Sequence, residues 1–162
     1  MRSEEEIIHA INTYSDMVKR ICFIHLKQDA DVEDIFQDVF LKYANGPHFE
    51  SDEHEKAWLI RVSINACKDS LTSWFHKKVI LHDNLEIYEN IPFLTKSHDD
   101  QILSNVLKLK ENYRNVIYLY YYEGYKIKEI AQILHKKENT IHTWMKRAKE
   151  ELRYMLGGDY LE

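Results

Sequence analysis

The sequence predicts an all-α protein of two small helical domains joined by a flexible linker, the second domain built from four helices. Three observations lead there. Apolar residues recur at helical spacing through most of the chain, no segment shows the period-two alternation of a strand, and residues 79–97 lose periodicity around Pro92. A chain of 162 residues accommodates two short domains. The expected division is 1–78, a linker at 79–97, and 98–156.

The helices follow in order. Ser3 with Glu6 three residues on forms a capping box, after which Ile7, Ile11, Tyr14, Val18 and Ile21 mark one face. A second helix begins near Asp31, carries Val32, Ile35, Phe36, Val39, Phe40 and Tyr43 in a stripe, and stops at Asn45-Gly46-Pro47. A third runs from Asp52 to about His76 with Ala57, Trp58, Val62, Ile64, Cys67, Leu71, Trp74 and Phe75 as its apolar residues, so it is the expected centre of the first domain. Beyond the linker, Asp99-Asp100 suit a helix start, with Ile102, Leu103 and Val106 giving a face. Tyr113, Val116, Ile117, Tyr120 and Tyr121 supply the face of the next helix, which Gly124 ends.

Composition narrows the function. With 44% hydrophobic and 30% charged residues the chain can build cores. No apolar run reaches the ~20 residues of a membrane span, and the acidic start is unlike a secretory signal, so a cytoplasmic protein without membrane insertion is expected. Cys22 and Cys67 are too few and too far apart for a disulfide framework or a Cys-x-x-Cys zinc site, and read as small core residues. The net charge of −5 conceals a pattern. Residues 54–80 hold 5 Lys/Arg against 2 Asp/Glu and residues 126–154 hold 8 against 4, whereas residues 1–53 hold 5 against 12. Because screening acts over about 8–10 Å, two basic segments fit two local contacts with a polyanion. On charge alone, ordinary solvated helix faces fit equally well.

The C-terminal segment is the more specific. Ile127 to Leu134 form a short amphipathic helix, and Ile141, Met145, Ala148 and Leu152 mark the inner face of another only a few residues later, with Ala131 where two crossing helices need a small side chain. This is the pattern of a helix-turn-helix. Lys137, Asn139, Thr140, His142, Thr143, Lys146 and Arg147 would then face outward, with donors for base edges and phosphates. A plain helical hairpin is the competing reading. His135 stands in the tight turn where glycine is easiest.

On the third helix, Arg61, Asn65, Lys68 and Thr72 are spaced i, i+4, i+7 and i+11 and form a polar stripe. With Phe49, Trp58 and Trp74 as stacking surfaces and Lys77-Lys78 as further cations, the stripe suits unpaired bases and their phosphates; each aromatic taken singly also fits a core position. Asp34, Gln37, Asp38 and Leu41 fall off the apolar stripe of the second helix. They make an acidic patch around an exposed aliphatic, suited either to protein binding or to a solvated face.

Taken in order, Asp31-Val32-Glu33-Asp34-Ile35-Phe36-Gln37-Asp38-Val39-Phe40-Leu41, Ala57-Trp58-Leu59-Ile60-Arg61-Val62-Ser63-Ile64-Asn65, Tyr113-Arg114-Asn115-Val116-Ile117 and Glu129-Ile130-Ala131 resemble the sigma-70 family of bacterial RNA polymerase sigma factors. In length and domain content the resemblance is to the extracytoplasmic-function (ECF) group, over about residues 5–156. It implies a promoter-specificity subunit with no catalytic residues, cofactor or metal of its own. Asp34, Gln37, Asp38 and Leu41 would dock on the clamp helices of the largest catalytic subunits of core RNA polymerase, which would also be met near the −35-binding domain. Phe49, Trp58, Arg61, Asn65, Lys68, Trp74, Lys77 and Lys78 would bind and open the −10 element. Lys137, Asn139, Thr140, His142, Thr143, Lys146 and Arg147 would read the −35 element of promoter DNA, and an anti-sigma factor is an implied partner. The chain departs from the family pattern at Leu109-Lys110, where Leu-Pro is usual, at His135, and at His142 and Trp144, which replace a basic pair. The alternative function is a helix-turn-helix regulator whose first domain senses a ligand or partner. Metal enzymes fit poorly, since Glu6-x-x-His9 and Cys22-x-x-His25 each occur without a second copy.

Overall fold

A computed structural model describes residues 1–26, 29–77 and 104–157 of the chain, with the backbone alone at 29–30 and 71–77. These residues are helical, with no strand among them: α1 (Glu4–Leu26), α2 (Asp29–Ala44), α3 (Asp52–Lys77), α4 (Glu111–Ile117), α5 (Ile127–Leu134) and α6 (Glu138–Leu156). A short helical stretch at 104–106 precedes α4, and a π-helical turn, Tyr118–Tyr122, continues it. The chain falls into two compact units, one within Met1–Leu94 and one within Thr95–Glu162. The expected linker at 79–97, Asp99-Asp100, Ile102 and Leu103 lie outside the described residues.

In the first unit α1, α2 and α3 pack pairwise. The capping box forms: the Ser3 amide donates to Glu6 Oε2 at 2.8 Å and the Glu6 amide to Ser3 Oγ at 3.2 Å. Hydrogen bonding to the Ser3 backbone amide first, and then to the Ser3 side chain, holds the Glu6 carboxyl below its ordinary range. Along α1, Ala10, Tyr14, Met17, Val18 and Ile21 point inward, and the last turn, Cys22 through Leu26, is buried on every side. From α2 come Val32, Val39, Phe40 and Tyr43, with Ile35 and Phe36 half-buried. Both cysteines are buried.

The inner face of α3 differs from the sequence expectation. Leu59, Ile60, Ser63, Ile64, Ala66 and Cys67 are buried, whereas Ala57, Trp58 and Val62 are half-buried at its margin. Hydrophobicity alone does not distinguish the centre of a wide apolar face from its edge. Ser63 sits in the core because its hydroxyl donates to the Leu59 carbonyl at 2.7 Å, which satisfies a polar group that burial would otherwise penalise.

The first unit is tied together at Glu55 of α3. Its Oε1 accepts the Tyr43 phenol from α2, and its Oε2 accepts the Tyr14 phenol from α1 at 3.3 Å. Tyr14 also reaches the Asp52 carbonyl at 3.4 Å. Burial, together with the Glu55 carboxylate, pushes the Tyr43 phenol up to about 12.

In the second unit, α4 and α5 both pack on α6. Every residue from Tyr113 to Leu119 is buried, so α4 forms the centre of the unit. Val106, Leu107 and Leu109 are buried ahead of it, and the buried Arg114 guanidinium donates to the Leu107 carbonyl at 3.5 Å. The expectation that Tyr120 and Tyr121 extend the buried face is overturned, for they are 39% and 40% exposed. The cause is the π turn, in which the Glu123 amide bonds to the Tyr118 carbonyl five residues back at 3.2 Å, so the helical register slips by one residue. Gly124, at φ 75°, follows the end of this helix, as its position in the sequence predicts.

The Tyr43 shift carries a testable sign. Above pH 10 the unfolded chain gives up the phenolic proton while the folded chain keeps it, so folding stability falls as pH rises from about 10 to about 12. Urea unfolding at pH 8 and pH 11.5 should show Tyr43→Phe less stable than wild type at the lower pH, with the gap narrowing at the higher.

Candidate nucleic-acid and protein interfaces

In the second unit the candidate site is built by α5, a three-residue turn and α6. The Glu129 carboxylate accepts the Lys126 amide at 2.9 Å, satisfying a donor at the start of α5. Ile130, Ala131 and Ile133 turn inward. At the end of α5, His135 adopts the left-handed conformation (φ 54°, ψ 48°), while the His135 amide donates to Gln132 at 3.3 Å and the Lys136 amide to Ala131 at 2.9 Å. This pair of reversed bonds is the usual way a helix ends on a left-handed residue.

Lys136 and Lys137 then lead into α6, whose buried residues Ile141, Met145, Ala148 and Leu152 fall on one stripe. That register decides which side chains face water. Asn139, His142, Thr143, Lys146 and Arg147 are exposed, as is Lys137 just before the helix; Thr140 and Trp144 are half-buried. Thr143 spends its hydroxyl proton on the Asn139 carbonyl at 2.9 Å, so its oxygen offers acceptor lone pairs outward. The arrangement presents amide, imidazole, ammonium and guanidinium donors along the opening turns of one helix, as major-groove recognition requires.

In the first unit, Arg61 and Asn65 are exposed on α3, with Lys68 and Trp58 half-buried on the same side. Phe49, in the connection between α2 and α3, is not a free probe. It stacks on Tyr43 (centroids 6.2 Å apart, 10° between planes), meets Trp58 at 5.5 Å and lies nearly perpendicular to the His54 ring at 5.6 Å, remaining half-buried. The aromatic cluster is part core and part surface. The side chains of Trp74, Lys77 and Lys78 lie outside the described residues.

Sequence reasoning passed over the group that grips this cluster. The Arg2 guanidinium donates to the Tyr43 and Pro47 carbonyls and lies over the Tyr43 and Phe49 rings, 4.1 and 5.0 Å from their centroids. Its own amide donates to Ala44 at 3.0 Å. No local pattern signals contacts across more than 40 residues.

On α2, Asp34, Gln37 and Leu41 are exposed, Leu41 to 65%. Asp38 is half-buried and pairs with Lys42 at 3.0 Å. An exposed pair of this kind contributes little to stability, so stability does not account for this acidic surface around a leucine. Among the described residues no group of three or more His, Cys, Asp or Glu is placed to hold a metal ion, and no helix is long and apolar enough to cross a membrane.

Comparison with known proteins adds to this geometry. The model of sigma-70 region 2 matches residues 10–74, and that of sigma-70 region 4 matches residues 99–152. The chain is similar to the ECF RNA polymerase sigma factor SigW of Bacillus subtilis, at 27% identity covering 90% of this chain and 86% of that protein. It is also similar to the RNA polymerase sigma factor SigV of Bacillus subtilis, at 26% identity covering 93% and 90%. Among solved structures, the sigma factor RpoE of Bartonella quintana, in complex with the anti-sigma factor NepR, aligns with a TM-score of 0.72 at 17% identity over 96% of this chain and 99% of that one. CnrH, in complex with the cytosolic domain of CnrY, gives 0.69 at 20% identity over 96% and 90%. At such identities these two structures establish the fold, an all-helical one.

The turn at His135 yields a prediction. A side chain in the left-handed region costs roughly 1–2 kcal/mol, partly offset when glycine replaces it by the greater freedom of the unfolded chain. His135→Gly should therefore raise the opening free energy of α5 and α6 amides in hydrogen exchange by about 0.5–1 kcal/mol, and His135→Val should lower it.

Proposed function

Carrying region 2 and region 4 in a single chain, this protein belongs to the sigma-70 family, and we propose that it acts as a promoter-specificity subunit of RNA polymerase in the manner of the ECF group. The observation that carries this reading is the order of the two regions together with the chemistry each exposes: an acidic, leucine-centred patch on α2, an aromatic and cationic face on α3, and a donor-rich outer face on α6.

The division of labour follows from that chemistry. Asp34 and Asp38 repel DNA and, with Gln37 and Leu41, suit a basic protein surface with an apolar centre, here the clamp helices of core polymerase. The opening turns of α6 enter the major groove at the −35 element. There Asn139, His142 and Thr143 meet base edges while Lys137, Lys146 and Arg147 neutralise phosphates. His142 and Trp144, which depart from the family pattern that the sequence resembles, give a distinctive −35 preference.

At the −10 element, Arg61, Asn65 and Lys68 track the backbone while Phe49 and Trp58 offer faces to an extruded base. Stacking of this kind is worth about 1–3 kcal/mol per base, which offsets the few kcal/mol of unstacking a duplex step. The chain breaks no bond itself; polymerase performs the chemistry. The complex of RpoE with the anti-sigma factor NepR supports an anti-sigma partner here as well, and the protein works in the cytoplasm, where polymerase and promoter are.

Binding of purified core polymerase and of −35 duplex by wild type, Leu41→Glu and Lys146→Ala/Arg147→Ala tests the reading. Leu41→Glu should lose core affinity at least about tenfold while binding duplex normally. The double variant should keep core binding and show a salt slope for duplex binding shallower by about two. Unchanged core binding by Leu41→Glu would favour a free-standing operator-binding regulator.

A further inference from the structure

We infer that Arg2 is a positioning residue for promoter opening: it clips the connection between α2 and α3 so that Phe49 and its aromatic neighbours are set before DNA arrives. The inference rests on the reading of that connection as the part that opens the −10 element.

Arg2 gathers several contacts around this loop. One guanidinium nitrogen donates to Tyr43 in the last turn of α2 and another to Pro47, beyond the helix end, so a single planar group bridges the point where the chain leaves α2. The Arg2 amide adds a third bond, to the Ala44 carbonyl at 3.0 Å. Carbonyls at a helix C-terminus lack intrahelical partners and carry partial negative charge, so a fixed cation there is doubly favourable. The guanidinium carbon then lies over both the Tyr43 and Phe49 rings, 4.1 and 5.0 Å from their centroids.

The loop it holds is already tight. A Cβ on Gly46 would stand 3.0 Å from the Lys42 carbonyl and 3.2 Å from the Trp58 ring, so the backbone passes pressed between α2 and α3. Tyr43 is anchored below by Glu55, and Phe49 is fixed between Tyr43, Trp58 and His54, with Arg2 on top. Capture of an unpaired base by a mobile loop would have to order the loop at the moment of capture; a loop ordered in advance avoids that loss. Lysine cannot substitute. Its point charge donates along one stem and cannot bridge two carbonyls in a plane while stacking on two rings.

Holoenzyme assembled from core polymerase and wild type, Arg2→Gln or Arg2→Lys, on a promoter carrying 2-aminopurine in its −10 element, separates the steps. Both variants should bind core and form the closed complex within about twofold of wild type with an unchanged salt slope, and open the promoter about tenfold more slowly. Opening restored to the wild-type rate by Arg2→Lys would overturn the inference in favour of simple charge attraction to phosphate. Wild-type or faster opening by Arg2→Gln would also overturn it, as would loss of core binding by both variants, which would mark Arg2 as a folding residue. Wild-type holoenzyme that opens no promoter at all would sink the parent reading; a normal wild type beside an equally fast Arg2→Gln sinks this inference alone.

Discussion

A single carboxylate, Glu55, fixes the geometry on which the first unit depends. Placed near the start of α3, it accepts one phenol from α1 and another from α2, so the three helices meet at one charged acceptor. Such bonds are worth more than neutral ones because the acceptor is ionised. The consequence reaches the surface: Tyr43, held by Glu55 through its hydroxyl, offers its ring to Phe49 and to Arg2. The aromatic cluster that would meet single-stranded DNA is the outer edge of the packing that holds the helices together.

The second unit reaches its geometry by two local departures from the α-helix. Beyond α4 the π turn rotates Tyr120 and Tyr121 out of the core, where the Lys149 ammonium of α6 lies 5.8 and 5.9 Å from their rings, while Tyr118 turns back to donate to Glu123 at 2.6 Å. At the end of α5, His135 accepts a left-handed conformation so that only two residues are needed before α6 begins. Both cost some local stability. The burial of Ile130, Ile141 and Leu152, all essentially inaccessible to solvent, compensates by fixing α6 with its polar residues outward.

Features set by neighbours in the chain were readable from the sequence. The Ser3 and Glu6 capping box, the stop at Asn45-Gly46-Pro47, the left-handed turn at His135 and the inner stripe of α6 each depend on residues within a few positions, and each is present. What escaped was set by tertiary packing or by register. Leu59 and Ile60 displaced Trp58 and Val62 from the centre of α3 because α1 and α2 press on that side. Tyr120 and Tyr121 were misplaced because a π turn leaves no mark in a 3.6-residue pattern. Arg2 was invisible because its partners Tyr43, Pro47 and Phe49 are distant in sequence, and an arginine beside a capping box looks like any surface charge. The buried Arg114 escaped likewise, since its guanidinium donates to a carbonyl presented by the preceding turn, a contact that no local pattern announces.

In the proposed function this chain brings core polymerase to specific promoters by using both units at once. Run-off transcription with purified core polymerase over a pool of genomic promoter fragments tests it most directly. Discrete transcripts should appear only when the chain is added, their start sites preceded by a shared pair of −35 and −10 elements at constant spacing. Transcription no more selective than that of core polymerase alone would contradict it.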